Sequence, residues 1–535
     1  MARITTDTDQ TLSRRPFLAT TGGGLVGTAA FGLLGQAEAV KRHPQRGGVL
    51  RFATRGDAAG LDPHRNTIYL VSTPLAGTTQ GLVDVNLHAE PVPAIAAEWD
   101  IAADLATYTF KLHRGVLFHN GREVDAEAVK WNFERIADPK IGHPFTRSAL
   151  ANLKETKVLD KYTLQCLLHE PSAAFLADLV YYPCNLMAPD SAEQANTHPI
   201  GCGPFKFVKW ERNNITELSR FENYFETDAE GNNLPYLDGI IGRPKNEDQV
   251  RLTSLRAGEV DLIDNMAYTD AAEFAKKYAG KFQTWEVPTL GTSFLMFNLE
   301  KGPFAKKQLR LAAAHAVDHE AIRQAVFNGR GETARGFFAP ASPWYTAGAK
   351  AWPEYDPEKA RALLKKARAM GTEVSLQSLN SFPYMQQTAE LIQAMWSEVG
   401  FKVALNFYDS PVLNQKRRER DFHADSTSAS YRWDPDNWFS RQILSTAPQN
   451  QLQGPGFKHE KADTLIAEAR QTADKKKRLA LYSAIESIVN TELPFLYIHH
   501  LTALQAGAMN LKGYQPAISG PFSTKAGGIR TAWLA

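Results

Sequence analysis

The sequence predicts an α/β fold, and three stretches carry that expectation. Glu373 to Gln377 reads as a strand, Met385, Ala389, Ile392, Trp396 and Val399 follow at helical spacing, and Phe401, Val403, Leu405 and Phe407 alternate as a second strand. Strand, helix, strand in that order is a crossover that lays two strands parallel in one sheet. Tyr108, Phe110 and Leu112 alternate within a strand over Thr107 to Leu112, and a helix follows. Near the C-terminus, Leu481, Ile485 and Ile488 mark an amphipathic helix that ends before Pro494, with Phe495 to Ile498 as the next strand.

Taken in order, the chain opens with a segment that does not belong to that fold. Ser13-Arg14-Arg15-Pro16-Phe17-Leu18 precedes an uncharged, small and apolar run to Leu34, and Ala37-Glu38-Ala39 supplies a small-residue cut. A basic start, short apolar stretch and A-x-A end describe a secretory signal peptide. The paired Arg14 and Arg15 also resemble the bacterial twin-arginine export signal, with cleavage at Ala39. Gly22, Gly24 and Gly27 inside this run spell G-x-G-x-x-G, but no strand precedes them, so they do not open a dinucleotide site. After the leader, Gly47 to Ala53 reads as the first strand. Asn120-Gly121 then forms a tight turn, and Asp125 caps a helix that buries Val129, Phe133 and Ile136. Gly400 stops the later helix.

Composition bounds the function. The leader holds equal numbers of acidic and basic residues, so the net charge of +2 passes to the remainder. That near-neutrality excludes the strong basic excess of a nucleic-acid binder, and Lys416-Arg417-Arg418 and Lys475 to Arg478 read as solvated helix faces. No later stretch is long and apolar enough to span a membrane. Cys166, Cys184 and Cys202 allow at most one internal disulfide; Cys166 lies in an alternating strand, where a buried thiol is expected.

Motifs of chemistry are absent. No G-x-S-x-G occurs, His459-Glu460 lacks the second histidine of a zinc helix, and His499 and His500 point to opposite faces of one strand. Asp434-Pro435-Asp436-Asn437 lacks the glycine and closing glutamate of a calcium loop. No metal, cofactor or catalytic residue is expected.

Several blocks nevertheless resemble one family. Tyr108 to Ile136 (YTFKLHRGVLFHNGREVDAEAVKWNFERI) is similar to its signature of strand, Arg-x-Gly-Val turn, Phe-His-x-Gly and helix, and it is joined by Leu61-Asp62-Pro63, Gly81-Leu82-Val83, Gly201-Cys202-Gly203-Pro204-Phe205, Leu255 to Asp261 and Tyr355 to Ala360. The family is the bacterial extracellular solute-binding proteins, family 5, which serve ABC importers of peptides, nickel and opines. The resemblance implies a two-lobed periplasmic binding protein fold, type II and cluster C-like, with an extra domain on the first lobe. Residues 40–85, 195–285 and 505–535 would form lobe I, 86–194 the added domain and 286–504 lobe II. Segments near Glu286 to Ser293 and Tyr497 to Leu504 would cross between lobes. The protein is then expected to be a periplasmic monomer that passes a small solute to membrane permease subunits, with no nucleic-acid partner. An exported enzyme or cofactor carrier is the alternative that the twin-arginine route leaves open.

The same resemblance points to Ser430 to Trp438 (SYRWDPDNW) as cleft wall. Peptide-binding members carry there an acidic residue for the ligand's amino group, and aligning Asp434-Pro435 puts Tyr431 in its place. Leu379 stands where dipeptide binders use an arginine. A phenol and an alkyl group cannot make the charge-assisted bonds of a carboxylate and a guanidinium, so the solute is expected to differ from a free dipeptide. Tyr431, Arg432, Trp433 and Asp434 are the principal candidates, with Leu379, Asn66, Tyr69 and Phe294 beside them; Trp438 is a weaker one. Arg432 with aromatic faces would suit flat or carboxylated ligands. Competing with this is a plain turn in which Asp434 and Asp436 cap a helix and the tryptophans fill the core.

Overall fold

In chain order the strands are β1 (Val49–Thr54), β2 (Val83–Val85), β3 (Pro91–Pro93), β4 (Ala96–Ile101), β5 (Thr107–Leu112), β6 (Leu153–Asp160), β7 (Thr163–Leu168), β8 (Phe205–Glu211), β9 (Ile215–Arg220), β10 (Gly239–Pro244), β11 (Leu262–Ile263), β12 (Phe282–Phe297), β13 (Glu332–Thr333), β14 (Glu373–Leu379), β15 (Lys402–Tyr408), β16 (Ala424–Ala429), β17 (Phe495–Ala508), β18 (Leu511–Lys512) and β19 (Trp533–Leu534). The computed structural model that defines them describes residues 43–66, 75, 77–346, 352–430, 432–516 and 528–535. Arg14, Arg15, Ala39, Tyr69 and Tyr431 lie outside the described residues.

One mixed sheet dominates, in the order β15-β14-β16-β12-β17-β11-β1-β10-β9-β8, with β13 added beside β17. The predicted crossover is present. β14 and β15 run parallel in register from Glu373↔Lys402 to Leu379↔Tyr408. The helix Pro383–Val399 between them buries Met385, Ala389, Ile392, Trp396 and Val399, and Gly400 ends it at φ 114°. Trp396 is fully buried and its indole N–H donates to the Ala313 carbonyl at 2.9 Å, so the ring fills the core without an orphaned donor.

β12 and β17 are the two long strands, and they pair antiparallel from Phe282↔Ala508 to Met296↔Phe495. On one side of them stand β11, β1, β10, β9 and β8; on the other stand β16, β14 and β15. Register is interrupted between Pro288 and Thr292. Both predicted crossing segments fall within this pair.

A separate antiparallel sheet, β4-β5-β7-β6, packs under the helix Ala126–Ala137. Tyr108, Phe110 and Leu112 face its core with Val129, Phe133 and Ile136. Asp125 caps the helix by accepting from the Ala128 N–H at 2.8 Å, and Gly121 holds φ 86° in the preceding turn. Cys166 is buried on β7 as expected, and all three cysteines are free thiols. Burial pushes each up to about 12.

Two sequence expectations shift. The first strand begins at Val49, because Gly47 and Gly48 sit at φ 115° and 79°, outside strand geometry. The helix Lys475–Glu492 buries Tyr482, Ile485 and Val489 together with Arg478 and Glu486. Leu481 and Ile488 pack only partly, because buried polar partners rotate the inward face by about one residue.

Candidate functional site

The residues singled out around 430–438 leave the end of β16 and enter the short helix Asp436–Gln442. Asp434 accepts from the Asp436 N–H at 2.9 Å and from Arg478 Nη2 at 2.6 Å, with both charged side chains 5 % exposed. The expected turn exists, and its first carboxylate is paired inside the protein. Trp438 is buried flat against Phe337, ring centroids 3.8 Å apart, and donates to the Tyr497 hydroxyl at 3.3 Å.

Beside this turn lies a cavity of about 220 Å³. β12 contributes Phe294 and Met296, β16 contributes Thr427, Ser428 and Ala429, and Ser430 and Arg432 line the wall after it. Trp438 and Gln442 come from the short helix, with Gln449 and Gln453 from the turn of helix that follows. Among the described residues the amide side chains of Gln442, Gln449 and Gln453 make no hydrogen bond, so three donor–acceptor groups face a guest. Arg417 also reaches the wall, but its guanidinium is held by Asp425 at 2.7 and 3.1 Å and by the Thr427 hydroxyl at 3.2 Å. Its charge is thereby balanced within the protein.

The candidates are thus divided. Phe294 and Arg432 line the cavity. Arg432 packs against Tyr181, and burial, reinforced by the nearby Arg441 and opposed by Tyr181, lowers its pKa from the usual arginine value. Trp433 lies behind the wall, in an apolar cluster with Val85, Ala89, Ala177, Tyr181 and Leu290. Leu379 closes β14 opposite Tyr408, away from the cavity lining. Asn66 is buried and donates to the Gly60 carbonyl. No single helical period joins the three glutamines, because Gln442 ends one short helix while Gln449 lies in, and Gln453 caps, a second that starts at Pro448, and Ser428 lies on β16.

The Trp433 cluster joins segments far apart in sequence, and a polar seam runs alongside it. Asn437 Nδ2 donates to Asp178 at 2.7 Å, and Arg441 lies 3.9 Å from the same carboxylate. The Ala173 N–H donates to the Arg470 carbonyl at 2.9 Å, Arg470 reaches Glu170 at 3.4 Å and Lys475 reaches Glu90 at 2.8 Å. Burial pushes the Asp178 carboxyl up to about 8; Arg441 opposes that shift, while Asp436 and Asp434 add to it.

A family model, "Bacterial extracellular solute-binding proteins, family 5 Middle", matches residues 90–451. The chain belongs to this family. The solute-binding protein is 27 % identical over 512 residues to the dipeptide-binding protein of Escherichia coli, covering 87 % of this chain and 92 % of that relative. It is 29 % identical over 468 residues to heme-binding protein A of Haemophilus influenzae, covering 80 % and 82 %. Among solved structures it is similar to AgaA from A. tumefaciens in complex with agropinic acid, with TM-score 0.79, 26 % identity and coverage of 91 % and 99 %. It is likewise similar to DppA from Helicobacter pylori in complex with a peptide, with TM-score 0.78, 25 % identity and coverage of 92 % and 98 %. The solute-binding protein therefore has the two-lobed periplasmic binding protein fold that the sequence blocks implied.

Proposed function

We propose that this protein captures an organic solute other than a free dipeptide between its lobes and hands it to the permease of an ABC importer. The observation that carries the reading is the cavity beside β16, whose three unbonded amides, serine hydroxyls, Arg432 and aromatic rings suit a polar, partly unsaturated guest. At about 220 Å³ it is smaller than a typical pocket of roughly 300–1,000 Å³, so it takes part of the solute and the cleft takes the rest. Lobe I is 40–85, 195–285 and 505–535, the added domain is 86–194, and lobe II is 286–504. Contacts from Glu90, Glu170 and Asp178 to residues 432–478 are then contacts of the closed form. A solute that touches both halves favours closure by its differential affinity alone.

Relatives that bind a dipeptide, heme or an opine support an organic solute and leave its class open. The twin-arginine leader around Arg14 and Arg15, cut at Ala39, sends the protein to the periplasm, where it works as a monomer without turnover. No helix among the described residues is long and apolar enough to cross a membrane, and no group of three or more metal-ligating side chains occurs among them. Calorimetric titration tests the solute class. A mixture of dipeptides is expected to give no submicromolar binding, and submicromolar heat from it would overturn the assignment. Native mass spectrometry of protein from its own host is expected to show one co-purified organic solute.

A further inference from the structure

The short helix Asp436–Gln442 turns two faces to two different neighbours. Residues three or four apart on a helix share a face. Trp438 and Gln442, so spaced, line the cavity. Asn437 and Arg441 have the same spacing one step around the helix, and they meet the Asp178 carboxylate at 2.7 and 3.9 Å. The segment before the helix divides in the same way. Arg432 lines the cavity, whereas Trp433 is 5 % exposed within a cluster that includes Ala89, Ala149, Ala177, Tyr181 and Cys184. The Trp344 indole N–H donates to the Trp433 carbonyl at 3.1 Å and fixes the backbone from which that ring projects. Asp178 and these five cluster partners all fall within residues 89–184, the added domain.

These contacts have the anatomy of a docked surface, with a large ring at the centre and polar pairs at the margin. Trp433 supplies the centre. At the margin the Ala173 N–H donates to the Arg470 carbonyl at 2.9 Å, and Glu170 and Glu90 reach Arg470 and Lys475 at 3.4 and 2.8 Å. Glu170, Glu90 and Lys475 are exposed, so the marginal pairs orient the two surfaces and add little strength. The strength lies in the enclosed ring and in the Asn437–Asp178 hydrogen bond. Leu290 belongs to the same cluster, and it stands where the register of β12 with β17 is interrupted. Docking therefore bears on the joint of the large sheet as well as on the cavity wall.

Resting on the solute-binding reading above, we propose that the added domain is a clasp for the solute site, holding the helix Asp436–Gln442 through Asp178 and the pocket around Trp433. Trp438 and Gln442 then stand in place before a solute arrives. Asp178 and Trp433 are positioning residues that act through the helix, from the face opposite the guest. A wall ordered in advance spares the solute the entropy of ordering it. The clasp is closed in the solute-free protein, and a solute adds its own contacts to a closure already favoured.

Hydrogen exchange read by mass spectrometry on the full protein, freed of solute by dialysis, tests the clasp. Asp178→Ala should speed exchange across residues 436–443 at least about tenfold, while the helix Pro383–Val399 of the same lobe keeps its wild-type rate. Asp178→Asn retains the acceptor for Asn437 and should stay within about threefold of wild type. An aspartate with a merely structural role would loosen both helices together. A carbodiimide, which condenses a contacting amine and carboxylate to an amide, checks docking in solution. Lys475 should join Glu90 in solute-free protein about as readily as Lys307 joins Glu492, a pair 2.7 Å apart within lobe II. Asp178→Ala should cut the first link at least about threefold and spare the second. Unchanged exchange at residues 436–443 in Asp178→Ala, equal loosening of both helices, or absence of the Lys475–Glu90 link from solute-free wild type overturns the clasp. Neither readout contains a solute, so submicromolar binding of dipeptides would overturn the proposed solute class and leave the clasp standing.

Discussion

Asp434 is the candidate on which the ligand and structural readings part most sharply, so Asp434→Ala is the informative perturbation. Its carboxylate contacts Arg478 at 2.6 Å, both side chains are 5 % exposed, and Arg478 also donates to the Tyr482 hydroxyl at 3.1 Å and lies over the Trp344 ring at 4.7 Å. Removing one member of a buried pair strands the other charge, at a cost of about 3–5 kcal/mol. The alanine also loses the acceptor for the Asp436 N–H, which adds about 1 kcal/mol. An unfolding entropy of about 2.1 cal/mol/K per residue, summed over a unit the size of Pro44–Ala535, comes to about 1 kcal/mol/K, so a cooperative transition should fall by about 4–6 °C. The double variant Asp434→Ala/Arg478→Met should recover most of the pair's share, since it leaves no stranded cation. Differential scanning calorimetry of the two single variants and the double supplies the cycle. A loss under about 1 kcal/mol for Asp434→Ala, together with a large fall in solute affinity, would refute the structural role and return Asp434 to the ligand.

Other outcomes follow from the seam and the thiols. Burial holds Asp178 near 8, far above an ordinary carboxyl, so its neutral form stabilises the structure below about pH 4 and that contribution fades as pH rises to about 8. Solute affinity should accordingly weaken by up to about tenfold per pH unit through this window, and Asp178→Asn should flatten the profile measured by calorimetry from pH 5.5 to 8.5. Trp433→Ala empties the cluster shared by Val85, Ala177, Tyr181 and Leu290, and should cost about 3–5 kcal/mol of stability by thermal melting. Cys166, Cys184 and Cys202 should resist a thiol-specific chromogenic reagent in the native protein and react fully once unfolded, because burial keeps them protonated.

Periodicity made the crossover around Trp396 legible, because an apolar stripe between two alternating strands has one economical packing. Local chemistry did the same for the Asp125 cap and the Gly400 stop. The Lys475–Glu492 helix was harder, since its buried face includes Arg478 and Glu486, whose partners lie in distant segments. The site followed the same division. Phe294 and Arg432 were recoverable by resemblance, whereas Gln442, Gln449 and Gln453 gain meaning only once a broken helix is folded against β16.

β12 and β17 form a ladder shared by both flanks of the large sheet, with its register broken between Pro288 and Thr292. Two tethers bonded to each other resist stretching and shear but yield to torsion. Any rocking of one flank against the other therefore winds this ribbon, and the winding concentrates at Leu290 and Gly291, where the ladder has no rungs. Under the proposed closure the joint acts as a torsion spring, set apart from the residues that line the cavity.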